Sequence, residues 1–282
     1  MKIRTVVLLS AVASAAAQFR SDVRLVEVYA SVYDHKGLPV DNLPRERFRV
    51  VDEGHPQAIV SFETTADAFS CAILIDTTGS MRDSLGSVRN AVSNLLDQMR
   101  PDDAVAVYGF STSLKTLQDF TTDKASAKRA VGRTRAGGET ALFDAISETS
   151  REIAPRQGKK VIVLFTDGAD NASHLVPDAA IRRALKTGIP IYAVAEGEAI
   201  REGQLLKQLR SLATQTGGLS YQAKTGHDIT KIFTDIQAEL KHMYLLSYKP
   251  PGGDDSRWRA IQVAIDGAPE YKVRGKQGYF PQ

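Results

Sequence analysis

The chain has 282 residues, 43% of them hydrophobic and 24% charged, which is enough apolar material to bury a full core and excludes a disordered polymer. Lys and Arg number 36 against 33 Asp and Glu, for a formal charge of +3. No basic run stands out, so the charge balance points to no nucleic-acid partner.

At the N-terminus, Lys2 and Arg4 precede an apolar run from Thr5 to Ala17 that closes in Ala15-Ala16-Ala17 before Gln18. Residues 1–17 therefore read as a cleavable signal peptide. A membrane span needs about 20 apolar residues. The run is shorter than that and no second candidate follows, so the expectation is an exported protein, periplasmic or secreted, with no transmembrane segment after cleavage. Cys71 is the single cysteine, which excludes an intramolecular disulfide, and its apolar surroundings predict a buried structural thiol. Lipid anchoring finds no cysteine directly after the signal peptide to support it.

Residues 18–66 are predicted to be β-rich. From Val23 to Asp34, Val26, Val28, Ala30 and Val32 alternate with Glu27, Tyr29, Ser31 and Tyr33, the pattern of a half-buried strand. Phe48 to Val51 and Ala58 to Phe62 follow as strands around a turn at Asp52 to Pro56.

From residue 67 to 242 strands alternate with helices. Cys71 to Ile75 is an apolar strand, and Leu85, Val88, Val92, Leu95, Leu96 and Met99 make one helical face. Strands are predicted at Ala104 to Phe110 and Leu114 to Phe120, then helices near 123–134 and from Thr140 to Ile153. Val161 to Phe165 and Ile189 to Val194 are apolar without interruption, which means burial on both faces. Helices at Pro177 to Lys186, near 203–215 and around Ile229 to Leu240, with a strand at Leu219 to Gln222, complete a doubly wound, mostly parallel α/β sheet with helices on both faces. Residues 243–282 return to strands at Tyr244 to Tyr248, Trp258 to Ile265 and Tyr271 to Arg274, with Trp258 read as a core aromatic of these strands. Neither β segment can bury a core alone, so the N- and C-terminal strands are expected to pack together as a small sandwich.

Three loops fall at the carboxyl ends of the sheet strands, where open α/β sheets bind ligands. Asp76-Thr-Thr-Gly-Ser80 follows the Cys71 strand, Gly137-Gly-Glu-Thr140 opens a helix, and Thr166-Asp167-Gly-Ala-Asp170 follows the Val161 strand. Asp76, Thr78, Ser80, Thr140 and Asp167 are hard oxygen donors, suited to Mg²⁺ or Mn²⁺ and poor for zinc or copper. Each piece alone reads equally as a helix cap or a turn. Asp170 and Glu139 stand beside these residues as rim groups or as solvated loop acids.

This constellation resembles the von Willebrand factor type A domain and its metal-ion-dependent adhesion site, which reads D-x-S-x-S, then a Thr, then an Asp. By that resemblance Asp76, Thr78 and Ser80 match the first motif, Thr140 the isolated Thr and Asp167 the last Asp, with Thr78 in place of the commoner Ser. The resemblance covers roughly residues 67–240 and implies a Rossmann-like fold. The flanks, with Gly37-Leu-Pro-Val40, Leu43-Pro-Arg-Glu-Arg-Phe48 and Gly278-Tyr-Phe-Pro281, are similar to exported bacterial proteins related to this family. The implied function is non-enzymatic: a metal-dependent adhesion module whose ion accepts a Glu or Asp of a partner protein.

Two other readings stay open. In one the metal site is vestigial or stabilising and the β flanks make the contacts of a structural or assembly protein. In the other, Asp76-Thr-Thr-Gly-Ser80 resembles the Asp-Lys-Thr-Gly-Thr of aspartyl-phosphate enzymes and Asp76 is a nucleophile. Against the latter, Asp76 lacks the paired downstream Asp of the haloacid dehalogenase family, and no lysine sits in a loop placed to neutralise phosphate. Gly109-Phe-Ser111 lacks the last Gly of a nucleophile elbow, and the five His residues show no zinc spacing.

Overall fold

The computed structural model of the chain describes residues 25–252 and 257–281. The expected signal peptide lies outside the described residues. A central sheet of six strands runs in the order β10 (Ser220–Ala223), β9 (Ile191–Glu196), β8 (Lys159–Thr166), β5 (Phe69–Asp76), β6 (Ala104–Phe110) and β7 (Leu114–Thr121). All neighbours are parallel except the edge strand β7, which returns antiparallel on β6. β5 and β8 are buried along their full length, as their unbroken apolar runs require.

Alternate residues of the strands feed two cores. Cys71, Ile73 and Ile75 with Val163 and Phe165 pack against α1 (Leu85–Gln98), α2 (Lys124–Gly132) and α7 (Gly226–Lys241). Ala72, Leu74, Ile162 and Leu164 pack against α3 (Leu142–Ile153), α4 (Pro177–Thr187), α5 (Gly197–Arg201) and α6 (Gly203–Thr216). Burial holds the Cys71 thiol protonated far above its usual range, so it packs as a small apolar group.

The flanking segments build two antiparallel sheets. One has the order β13 (Lys272–Gly275), β1 (Val26–Tyr33), β11 (Met243–Tyr248), β4 (Ile59–Glu63); the other β14 (Gly278–Tyr279), β12 (Arg259–Ile265), β2 (Phe48–Asp52), β3 (His55–Gln57). Val28, Val32, Leu246 and Tyr248 of the first sheet meet Phe48, Val50, Ile261 and Tyr279 of the second in one apolar cluster. Asp52, fully buried there, accepts hydrogen bonds from the hydroxyls of Tyr248 and Tyr279, each at 2.8 Å, and pairs with Arg259.

β1 differs from its expected half-buried form. Its valines face the sandwich, while Tyr29 on the opposite face is 1% exposed and joins the core of the central sheet. The Tyr29 hydroxyl accepts the backbone N–H of Lys160 at 3.1 Å, and Lys160 Nζ donates to Glu27 at 3.0 Å. Lys159 Nζ donates to the Thr64 carbonyl at 2.7 Å. Both lysines open β8, so the sandwich is docked under the amino ends of the sheet strands, opposite the loops that carry Asp76 and Asp167. Trp258 also departs from expectation: it packs edge-on against Phe280, with centroids 5.2 Å apart, at the margin of the α4–α6 core and outside the sandwich cluster.

Candidate metal centre

The three loops converge as expected. Asp76, the last residue of β5, is fully buried, and its Oδ1 accepts both the backbone N–H of Thr78 at 2.9 Å and the Thr78 hydroxyl at 2.7 Å. Thr78 Oγ1 lies 3.1 Å from Ser80 Oγ, which donates to Asp167 Oδ1 at 2.8 Å. Four of the predicted residues thus form one continuous chain of oxygens from two loops. Thr140 comes from the third: a methyl group built on Gly168 would stand 3.5 Å from Thr140 Oγ1 and 3.6 Å from Ser80 Oγ, so both hydroxyls face the same cradle. The Thr140 hydroxyl makes no hydrogen bond among the described residues.

Thr140 does not open the helix that follows, contrary to the expected start of α3. Its carbonyl accepts the N–H groups of Asn171 at 2.9 Å and Ala172 at 3.1 Å, and Asn171 Oδ1 accepts the Thr140 N–H at 2.8 Å. With that carbonyl spent on the β8–α4 loop, α3 begins at Leu142. Asp170 and Ser173 cap it: Asp170 Oδ2 accepts the Phe143 N–H at 3.0 Å and Ser173 Oγ accepts the Asp144 N–H at 3.0 Å. Asp170 is therefore a helix cap, and Glu139 is exposed. Gly138, at φ 91°, turns the loop, while Gly137 N–H bonds the Thr77 carbonyl at 2.8 Å and ties it to the Asp76 loop.

Sequence reasoning missed Thr166. Its hydroxyl donates to Asp76 Oδ2 at 2.8 Å, so both oxygens of Asp76 are oriented by hydroxyls. Burial pushes the Asp76 carboxyl up to about 6, opposed by the hydrogen bonds of Thr78 and Thr166 and assisted by the charge of Asp167. Asp167 is raised in the same sense by burial, with the Ser80 hydroxyl opposing and the charge of Glu198 adding. Neither acid has a salt-bridge partner among the described residues.

Asp76, Thr78, Ser80, Thr140 and Asp167 fit a hard divalent cation. Oxygens at adjacent corners of a Mg²⁺ octahedron lie about 3 Å apart. The Thr78–Ser80 and Ser80–Asp167 separations of 3.1 and 2.8 Å match that spacing. Two unpaired buried acids supply the counter-charge. Among the described residues no three or more His, Cys, Asp or Glu side chains gather as a metal-ligand group, so hydroxyls are indispensable to any such site.

The family model of the von Willebrand factor type A domain matches residues 71–235, more than half of the chain, and spans all five residues. The chain belongs to that family. Solved structures share the type A fold at low identity. A von Willebrand factor type A protein from Catenulispora acidiphila is 17% identical, with 90% of this chain and 73% of that one covered and a TM-score of 0.55. The vWF domain of the type V pili tip protein Mfa5 from Porphyromonas gingivalis is 13% identical, covering 61% and 95%, at 0.53. Proximal thread matrix protein 1 from the mussel byssus is 21% identical, covering 72% and 51%, at 0.55. No curated protein matches the chain. No helix among the described residues of this type A protein is long and apolar enough to cross a membrane.

Proposed function

We propose that this chain is an exported, metal-dependent protein-binding module in which Asp76, Thr78, Ser80, Thr140 and Asp167 hold Mg²⁺ or Mn²⁺ and a partner protein contributes a Glu or Asp to the ion. The observation that carries the reading is the chain of oxygens from Asp76 through Thr78 and Ser80 to Asp167, spaced at 2.7, 3.1 and 2.8 Å. Bound there, the ion supplies an electrophilic point with a free position, because two carboxylates only offset its charge and the hydroxyls are neutral. Ser80, which is exposed, brings that point to the surface, while Asp76 is enclosed and orients the hydroxyl of Thr78. Similar domains in proteins named for a pilus tip and a byssus thread support a role outside the cell. The nucleophile reading of Asp76 has less support, since both of its oxygens accept hydroxyl hydrogen bonds and no lysine bonds it among the described residues.

The test is a pull-down from the host's envelope fraction with and without EDTA. Wild-type protein is expected to retain a partner that both chelation and Asp76→Ala release. Retention unaffected by both sinks the reading.

A further inference from the structure

Of the buried side-chain polar atoms that lack a hydrogen-bond partner among the described residues, Glu196 Oε2 is the only carboxylate oxygen. Glu196 ends β9. In the parallel pairing of β8 with β9, Thr166 stands opposite Ala195, which places Glu196 beside Asp167 on the next step of the ladder. Side chains alternate along a strand, and Tyr192 and Val194 share the α1 side of the sheet with Val163 and Phe165, so Glu196 and Asp167 fall on that same side. The Glu196 carboxylate feels the Asp167 charge, and one of its oxygens accepts a hydrogen bond from the Ser84 hydroxyl at the start of α1, which leaves Oε2 as the free atom.

The backbone fixes this placement. Gly197 takes a φ of 57°, and a methyl group built on it would stand 3.2 Å from the Asp167 carbonyl oxygen. That carbonyl accepts the Ala199 N–H at 3.0 Å. The start of α5 is thereby held against the Asp167 loop. Glu196 precedes α5, yet its side chain makes no capping hydrogen bond, and it has no salt-bridge partner among the described residues. A buried acceptor left without a donor costs about 1–3 kcal/mol, and a hydrated cation at the neighbouring site would remove that cost.

Resting on the metal reading above, we propose that Glu196 is an outer carboxylate of the centre, its free oxygen accepting a hydrogen bond from a water in the hydration shell that the divalent ion keeps. Among the described residues Glu196 does not join Asp76 and Asp167 in a three-acid ligand group, so its contact with the ion is through water. With five residue oxygens on an octahedral ion, the sixth position would hold a water until the partner's acid takes it, which makes such a contact available. Glu196 tightens the hold on the ion by adding negative charge behind Asp167.

Calorimetric titration of metal-stripped full-length protein with Mg²⁺ and Mn²⁺ tests this on wild type, Glu196→Gln, Glu198→Gln and Asp76→Ala. Glu196→Gln is expected to weaken ion affinity about 10–100-fold, the usual effect of losing an outer partner. Glu198→Gln, which removes a charge nearby, is expected to change it far less. Metal-free Glu196→Gln should melt at or above wild type, because an amide leaves no orphaned charge. Equal affinities for wild type and Glu196→Gln, with Asp76→Ala inactive, overturn the proposal and leave the centre standing. A metal-free Glu196→Gln protein that melts well below wild type also overturns it by showing a structural acid. If wild type binds neither ion, the centre and the proposal fall together.

Discussion

Thr166 shows how a single hydroxyl can govern a site without belonging to its motif. A threonine ending a buried strand is unremarkable in sequence, and only the pairing of β8 with β5 brings its Oγ1 to 2.8 Å from Asp76 Oδ2. Replacing it by valine keeps the shape and leaves that oxygen of a buried acid without its donor. Thr166→Val is expected to lower Mg²⁺ affinity about 10–100-fold, measured by calorimetry. Thr77→Val is the matched control, because the Thr77 hydroxyl bonds the Phe110 carbonyl at 2.8 Å and not the acids. Equal effects of the two variants would remove Thr166 from the centre. Asp170 carries the converse lesson: a motif-adjacent acid that read as a rim group or a solvated loop acid is committed to the N-terminus of α3.

At the scale of elements, the loop from Gly137 to Thr140 is held by its neighbours more than by its own residues. Thr77 accepts from Gly137, Gly138 accepts from Gly79 at 3.3 Å, and Asn171 clamps Thr140 from the other side. Gly138 must turn through φ 91°, and a methyl group there would meet Ser111 Cβ at 3.1 Å. Gly138→Ala is therefore expected to cost about 1–3 kcal/mol of stability through backbone strain, read by urea denaturation, and to weaken ion binding by displacing Thr140. Unchanged stability and affinity would show that the loop relaxes without moving the hydroxyl. The helix start at Leu142, two residues later than periodicity suggests, follows from the same clamp: the hydrogen bonds that would have extended α3 are spent on the Asp167 loop.

For the molecule as a whole, the sandwich and the type A domain share buried lysines. Burial pulls Lys276 down to about 8, with Glu27 opposing, and its ammonium donates to the Glu27 carbonyl at 3.1 Å. Lys159 is likewise lowered to about 8 by burial and by Arg100, with Asp67, Glu63 and Asp103 opposing. Between pH 8 and the ordinary lysine value of 10.5 the unfolded chain binds protons that the folded chain has released. Stability is therefore expected to rise with pH across that window, partly offset from about pH 9 by Cys71, whose thiol ionises only in the unfolded chain, and opposed from about 10 by tyrosines ionising there as well. Lys276→Met should flatten the rise, as followed by denaturation at pH 7.5, 8.5 and 9.5. A rise of equal slope in the variant would remove Lys276 as a cause.

The alternation of apolar strands with amphipathic helices, and the strand-end positions of Asp76 and Asp167, were legible in the residues because burial imposes periods of 2 and 3.6 on any chain that folds this way. The hard-oxygen character of the five side chains was legible for the same kind of reason: donor type follows from side-chain atoms alone. Only the tertiary structure decided that β1 is buried on both faces, that Thr166 orients Asp76, and that Glu196 comes to rest beside Asp167. Each depends on which strand lies next to which, a long-range pairing with no local signature. The proposed site is in the motif, but what positions its side chains comes from strands far apart in the chain.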